Sequence, residues 1–442
     1  MSFKVLLIKL PELELEMNKI LSVAFLIFLA FCGSSEAETQ ERIDEGVEEA
    51  VAGESSPETT TTIPKETTTT MQDTTSTTST TSTTMPINIS KSDTLTNTDS
   101  FFCEDKGNYV YCASSEAAVA PYNHTDLQLK WGVKKGYSPE VFCASDLQDA
   151  ICPNVMSALL AAMIEWGSYE PVEYWVIGPG KEATLKLVNI NCERRKNRGH
   201  MTMVECTNKH ANENNWFEFY RLESEKGGSV SASAAHVGHD EWGFHLFNSS
   251  SPNEFTLDKC KSCEPEVDIR IIFHEYFHGV QSSFKGVGEV RNAVREPDWF
   301  IEGSAEYMAL IKSKKAIDSN LLIPLYISES YVARDQMERW LKEGKEGLSS
   351  DCPGNKLQDL NYGNQCNAMY SLGAWAVAYL ANEYGEDLLL ESLYANLSQK
   401  PNFEVGFKDT YGISLEEFYI DFDKFITDPT FEPLIQEILG NI

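Results

Sequence analysis

The sequence predicts an α+β fold in which a sheet-containing part, residues 101–264, precedes a mostly helical part, residues 265–442. Short aromatic and β-branched segments that are typical of strands occur ahead of Pro265, whereas apolar residues recur at helical spacing after it. A Thr- and Ser-rich tract ahead of residue 101 has too little apolar surface to offset its chain entropy. We therefore expect the folded domain to begin near residue 101.

Residues 1–37 contain the pattern of an export signal, and we expect translation of the protein to start at Met17. The apolar run from Ile20 to Phe31 has signal-peptide length and is too short to cross a bilayer. The adjoining LAFCGSS resembles a bacterial lipobox with Cys32 as the lipidated residue, while Ser35 to Ala37 offers an ordinary cleavage site and free secretion. In either case we expect an exported protein, at a cell surface or on the periplasmic side of a bacterial membrane if lipidated, that touches the membrane only through the lipid.

The composition excludes several classes of partner. The formal net charge is −31, whereas a nucleic-acid binding protein presents a basic face. The same acidity opposes electrostatic adhesion to anionic lipid. Residues 38–100 are acidic as well as rich in Thr and Ser, and we expect them to form a disordered linker that holds the domain of residues 101–442 away from a surface.

The sheet-containing part is expected to begin with a helix from Leu147 to Trp166, which Gly167 ends. Three segments that combine aromatic and β-branched residues are predicted to be strands. They are Pro171 to Ile177, Trp216 to Leu222, and Gly243 to Phe247.

The part that follows Pro265 is predicted to consist mainly of helices. The first contains an apolar stripe with helical periodicity, formed by Phe273, Phe277, Val280 and Phe284. Four more helices are expected at Trp299 to Lys312, Asn364 to Tyr384, Asp387 to Leu397, and Leu415 to Ile426. Ser414 and Glu417 form a capping box for the last of them.

Cysteine counting supports an oxidising compartment. Without Cys32, an even number of cysteines remains, in pairs of neighbours along the chain. The predicted disulfides are Cys103–Cys112, Cys143–Cys152, Cys192–Cys206, Cys260–Cys263 and Cys352–Cys366. The C-x-x-C at Cys260 could instead be a redox pair, but no thioredoxin-like βαβ pattern surrounds it, so a structural disulfide is favoured.

The segment IIFHEYFHGVQ contains the H-E-x-x-H pattern. His274 and His278, four residues apart, lie on one face of a helix and suit a single metal ion. Glu275 between them suits a general base. A catalytic zinc requires a third protein ligand and one open position, so the pattern alone is incomplete.

A third ligand is available in the downstream segment PDWFIEGSAEY. Asp298 is predicted to cap a helix that begins at Trp299, with Glu302 one turn in and Glu306 on the same face. Glu302 would complete a His2Glu zinc site. Glu306 could accept the second ring N–H of a ligand histidine and so hold its orientation.

HExxH followed by W-x-x-E-G-x-A-x-Y resembles the gluzincin zinc peptidases, and among them the exported peptidase MA-like group. The resemblance implies a gluzincin-like catalytic domain, zinc as the metal, Glu302 as the third ligand and a peptide or protein substrate. Y-x-x-G-A at Tyr370 is similar to the aminopeptidase-N-like helix whose tyrosine stabilises the oxyanion. The G-x-M-E-N strand of aminopeptidases is absent from the sequence, and Gln281 and Phe284 stand where metzincins require Gly and His.

Two other classes of function stay open at this point. The chain could be a surface lipoprotein that keeps a gluzincin fold for binding without catalysis, or an extracytoplasmic thiol-disulfide protein that uses Cys260 and Cys263. A second histidine cluster, His236, His239 and His245, could bind a metal or line a substrate cleft. Histidines in strands and turns more often serve packing, so we do not assign them a metal.

Overall fold

The computed structural model describes residues 101–114, 132, 134, 139–169, 171–199, 201–210, 216–226, 231–236, 244–249, 265–285, 288–322, 332–364 and 366–442. For residues 231–236, 244–249, 265–268, 288, 289 and 291 it describes only the backbone. The predicted export signal with Cys32, the linker of residues 38–100, and the pair Cys260 and Cys263 lie outside the described residues. Among the described helices, none has the length and apolarity needed to cross a membrane.

A six-stranded mixed sheet occupies the first part of the domain. Its strands are β1 (Phe101–Asp105), β2 (Tyr109–Ser114), β3 (Glu140–Ala144), β4 (Val172–Ile177), β5 (Ser231–His236) and β6 (Phe244–Ser249). The spatial order is β1-β2-β3-β4-β6-β5. The central pairs β3–β4 and β4–β6 are parallel, and the outer pairs are antiparallel.

The helices are α1 (Ile151–Trp166), α2 (Lys181–Asn197), α3 (Met203–His210), α4 (Trp216–Lys226), α5 (Pro265–Phe284), α6 (Gly288–Ala293), α7 (Asp298–Asp318), α8 (Ala333–Ser350), α9 (Ala368–Tyr384), α10 (Ala395–Leu397), α11 (Phe403–Tyr411), α12 (Leu415–Thr427) and α13 (Glu432–Asn441). A π-helical segment, Leu389–Tyr394, leads into α10. The predicted class, a sheet-containing part followed by a helical part, is confirmed.

Strands β3 and β4 are buried on both faces of the sheet, and their side chains alternate between the two faces. Val141 and Val176 point into the main core with α1 and α5, whereas Phe142 and Trp175 point into a second core with α2 and α4. The rings of Phe142 and Trp175 stack with centroids 4.4 Å apart. A strand covered on both sides reads as a continuous apolar run, which explains the VEYWVI sequence of β4.

Two sequence predictions in this part are wrong. The segment from Trp216 to Leu222 is the start of helix α4, not a strand. Its buried positions, Phe217, Tyr220, Arg221 and Ser224, recur at helical spacing, and Arg221 pairs with carboxylates one turn away on each side. Its aromatic content, which favours strands, is therefore overridden by packing on the sheet. The domain also opens with strand β1 rather than with a helix, and α1 begins at Ile151.

The predicted helices of the second part are confirmed with shifted ends, and so is the capping box at Ser414. The predicted cap at Asp298 is wrong. Pro297 occupies the cap position in an extended conformation, and Asp298 is the first helical residue. Its carboxylate instead accepts the backbone N–H of Tyr362 at 3.0 Å, which anchors the segment ahead of α9 to the start of α7.

Four of the five predicted disulfides are present: Cys103–Cys112, Cys143–Cys152, Cys192–Cys206 and Cys352–Cys366. Each closes a short loop between elements that are already neighbours in the fold. The first joins the paired strands β1 and β2, and the second joins β3 to the start of α1. Pairing between sequence neighbours is therefore correct for every predicted pair in the described residues.

Candidate metal centre

Helix α5 presents the HEYFH pattern from a buried position. One face of the helix packs Phe273, Tyr276 and Phe277 around Trp166 of α1. The Tyr276 hydroxyl donates a 2.6 Å hydrogen bond to the Gly167 carbonyl, which ties α5 to the end of α1. Because the apolar face is anchored, the rotation of the helix about its axis is determined, and with it the direction of His274 and its neighbours.

Helix α7 carries the third predicted ligand and packs closely on α9. A Cβ built on Gly303 would lie 2.2 Å from the backbone carbon of Gly373, and one on Gly373 would lie 2.4 Å from the carbonyl oxygen of Trp299. Only glycine fits at either position, since no backbone atom can yield by that much. The Glu302 backbone is thus held against α9 by its neighbour, and its side chain is buried.

The three predicted ligands converge on one point. His274 Nε2 lies 3.0 Å from His278 Nε2, and Glu302 Oε2 lies 3.2 Å and 3.4 Å from those two nitrogens. Three ligands ~2.0–2.1 Å from a tetrahedral zinc ion are about 3.3 Å apart, so these separations are those of one face of a zinc tetrahedron. Two imidazoles and a carboxylate are also the donor types that zinc accepts, and the residues therefore fit the metal.

Each predicted ligand is contacted by a second residue. The Tyr362 hydroxyl donates to Glu302 Oε1, which leaves Oε2 directed at the histidines. His278 Nδ1 lies 2.8 Å from Gln281 Oε1. His274 Nδ1 faces Glu306 Oε1 at 3.7 Å, and Glu306 in turn pairs with Arg270. The predicted position of Glu306 behind a ligand histidine is thus observed, at ion-pair rather than hydrogen-bond distance.

The charges of the three ligands are set by burial and by one another. Burial lowers the pKa of His274 to about 4, despite an opposing pull from Glu302. Burial also disfavours a charged His278, but Glu302 outweighs it and raises the pKa to about 9. Burial of Glu302 is likewise outweighed by the charge of His278, which holds the pKa of the carboxyl well below its usual range. At neutral pH the cluster is therefore a neutral imidazole, an imidazolium and a carboxylate.

Glu275 and Tyr370 occupy different settings. Glu275 is buried, and its charge contributes to the raised pKa of His278. Tyr370 lies half-buried in the first turn of α9, one turn ahead of Gly373. The Tyr362 hydroxyl bonds the predicted ligand Glu302.

Sequence reasoning missed Tyr362 and Gln281 as members of the centre. Tyr362 lies in a short 3-10 segment between helices, where no periodicity indicates which way a side chain points. Gln281 follows His278 by three residues and so shares its helix face, a spacing that could have indicated the contact.

The remaining predicted residues lie apart or outside the description. His236 ends β5 and His245 lies on β6, with only their backbones described, and His239 lies outside the described residues. In the described part a second group of metal-ligating types, Cys192, Cys206 and His210, also comes together. Its two thiols are joined in a disulfide, so it is a structural cluster.

Comparison with known families bears on residues 249–400, which match the family model Peptidase_M9, described as collagenase. This range contains all of HEYFH, Glu302, Glu306, Tyr362 and Tyr370. A comparison with curated proteins found no significant match. The family match covers about a third of the chain, and it supports a zinc metallopeptidase, with zinc as the metal and a peptide or protein as the substrate.

Proposed function

We propose that this protein is an exported zinc metallopeptidase of the gluzincin type, in which His274, His278 and Glu302 hold the zinc and Glu275 is the general base. The observation that carries the proposal is the mutual spacing of the three ligand atoms, from 3.0 to 3.4 Å. The similarity to collagenase over residues 249–400 independently supports the peptidase class.

The bound zinc would supply a Lewis acid that polarises the substrate carbonyl and acidifies a water molecule. Glu275 takes the proton of the attacking water and delivers it to the leaving amine. Its placement directly between the two ligand histidines in the chain, on a helix whose orientation is anchored, keeps the carboxylate beside the reacting groups. Tyr370 is proposed to donate a hydrogen bond to the developing oxyanion.

The substrate is proposed only as a class. The name of the matching family refers to collagen, whereas nothing in the described residues of this chain selects collagen over other peptides. Export through residues 1–37, with or without lipid on Cys32, would place the enzyme where extracellular protein is the available substrate.

The first test measures the zinc content of the purified protein. A second measures its hydrolysis of a peptide library, casein and gelatin. The wild type is expected to hold one zinc per chain and to cleave. Glu275→Gln keeps the size and shape of the side chain but cannot accept a proton, so it should retain zinc while hydrolysis falls by roughly two to four orders of magnitude. Tyr370→Phe should lower turnover by roughly two orders of magnitude with unchanged zinc affinity.

Each outcome distinguishes a specific claim. A wild type that takes up no zinc when the ion is supplied contradicts the peptidase proposal. Retained zinc without cleavage of any substrate favours a binding protein that keeps the fold. Full activity in Glu275→Gln would show that another group is the base.

A further inference from the structure

Gln281 is the buried residue through which the two ligand-bearing helices are joined next to the metal site. It lies on α5 and is 1% exposed. Its side-chain nitrogen donates to the Ile301 carbonyl at 2.9 Å and to Ser304 Oγ at 2.8 Å, both on α7. Its side-chain oxygen lies 2.8 Å from His278 Nδ1.

The orientation of this amide follows from its partners. A backbone carbonyl can only accept, so the atom of Gln281 that faces Ile301 must be the nitrogen. Ser304 donates its own hydroxyl proton to the Phe300 carbonyl at 2.6 Å, so it too offers Gln281 a lone pair. The oxygen of Gln281 is consequently left facing His278, and it can only accept.

An acceptor at Nδ1 determines the tautomer of the imidazole. The proton of neutral His278 must reside on Nδ1, and Nε2 then presents its lone pair toward His274 and Glu302. The Ile301 carbonyl that orients Gln281 belongs to the residue before Glu302. The Gln281 amide therefore contacts His278 directly and is anchored to the backbone turn that carries Glu302.

We infer, resting on the proposed function, that Gln281 is the positioning residue that holds His278 in its metal-binding tautomer and couples that ring to the Glu302 turn of α7. It corresponds in role to Glu306 behind His274, with a neutral amide in place of a carboxylate. An amide donates as well as accepts, which is why it can join two helices, whereas an ionised carboxylate could not donate to Ile301.

Two substitutions distinguish a role of Gln281 in positioning His278 from a role in packing alone. Gln281→Met keeps the length of the side chain but removes both functions. Gln281→Glu keeps the acceptor for His278 and loses the donor to Ile301. Both variants leave the Ile301 carbonyl without its partner, so both should lower the melting temperature, Gln281→Glu by the larger amount because it also buries a carboxylate against that carbonyl.

Zinc affinity, measured by competition with a chelator, should differ between the two variants. We expect Gln281→Met to weaken zinc binding by about 10- to 100-fold, the usual effect of removing the partner of a ligand histidine. Gln281→Glu should stay within about threefold of wild type by the same argument. The Nδ1 proton of His278 should be visible by NMR in zinc-loaded wild type and Gln281→Glu, and lost to exchange in Gln281→Met. If Gln281→Met does not fold, Gln281→Asn provides a second test. Its side chain is shorter by one methylene, which moves the acceptor oxygen away from His278, so zinc affinity should again be lower than in wild type.

The matched control is Ser283→Ala. Ser283 is equally buried on α5, and its hydroxyl bonds the Gly279 carbonyl at 2.9 Å. Its loss should reduce stability and leave zinc affinity unchanged. Equal zinc affinity in Gln281→Met and Gln281→Glu, whether both weakened or both normal, would overturn the inference and leave the proposed function standing. A wild type that binds no zinc would overturn both.

Discussion

Two of the buried clusters of ionisable side chains in the described part of the chain differ in arrangement, and a comparison between them shows what distinguishes a structural cluster from a reactive one. At the sheet, Arg194 on α2 pairs with Glu140 of β3 and Glu173 of β4, and Arg198 adds a second cation at 3.4 Å from Glu173. The Tyr111 hydroxyl completes the shell of Glu140 at 2.8 Å. Opposite charges are thus matched within the fold.

At the metal centre the groups are arranged differently. His274, His278 and Glu302 direct their ligand atoms at one another, so that the Glu302 carboxylate faces two histidines instead of arginines, and a further residue holds each from behind. In zinc-free protein the charge of Glu302 is met by a proton on His278, because the carboxylate outweighs the effect of burial and raises the pKa of that histidine to about 9. The buried cluster with matched charges is structural, and the cluster with convergent lone pairs is suited to a cation supplied from outside.

The largest expected effect that tests this difference is at Glu302. Glu302→Gln removes the charge that draws a cation to the site while keeping the shape. A structural zinc site with four ligands is worth about 10–16 kcal/mol, so one ligand contributes roughly 3–4 kcal/mol. We expect zinc affinity to fall by about 100- to 1000-fold, measured by chelator competition, with partial recovery of hydrolysis at high zinc. Unchanged affinity would exclude Glu302 as a ligand.

A smaller effect, on folding alone, is expected at the sheet cluster. Arg194→Met leaves Glu140 and Glu173 buried with their main cation removed, which should cost about 3 kcal/mol of unfolding free energy in urea titrations. The control Arg334→Met breaks an exposed pair with Glu338 and should cost less than about 1 kcal/mol. Zinc affinity should be normal in both. Loss of zinc in folded Arg194→Met would remove the distinction between the clusters.

The pH dependence of the unfolding free energy provides a further test of the candidate metal centre. Because the pKa of His278 is raised to about 9 from an ordinary value of about 6.5, its contribution to the stability of zinc-free protein is complete below pH 6.5 and is lost as the pH rises through 9. The expected loss is of order 2–3 kcal/mol in urea denaturation between pH 6.5 and 9.5. Zinc-loaded protein should not show it.

The same titration predicts proton release. Zinc must displace the proton of His278, so about one proton per chain should be released on binding at pH 7.5, since His274 is already neutral. Calorimetry in buffers of different ionisation enthalpy measures this number. Zero protons released would contradict the raised pKa of His278.

The smallest expected effect concerns Tyr362. Tyr362→Phe removes the hydrogen bond to Glu302 Oε1 and should weaken zinc binding about tenfold by freeing the carboxylate to rotate. Tyr419→Phe is the control, because its hydroxyl accepts from Trp299 on the same helix α7 and contacts no ligand. If the two variants bind zinc equally, Tyr362 does not orient the ligand.

The features of this protein that depend on spacing along the chain were predictable from its sequence. A four-residue spacing on a helix puts His274 and His278 on one face, and a capped helix placed Glu302 and Glu306 together, although the cap itself is Pro297 rather than Asp298. Cysteines that are neighbours along the chain paired as expected because short loops close easily.

Features that depend on contact between distant segments became visible only in the folded structure. Tyr362 reaches Glu302 because its backbone is held by Asp298, sixty-four positions away. The aromatic segment at Trp216 became helix α4 because a sheet face was there to pack against. Glu306 behind His274 was predictable from its spacing to Glu302, and Gln281 from its spacing to His278, whereas Tyr362 behind Glu302 was not. Its hydrogen bond is selected by the packing of distant segments, and spacing along the chain carries no information about which of these meet.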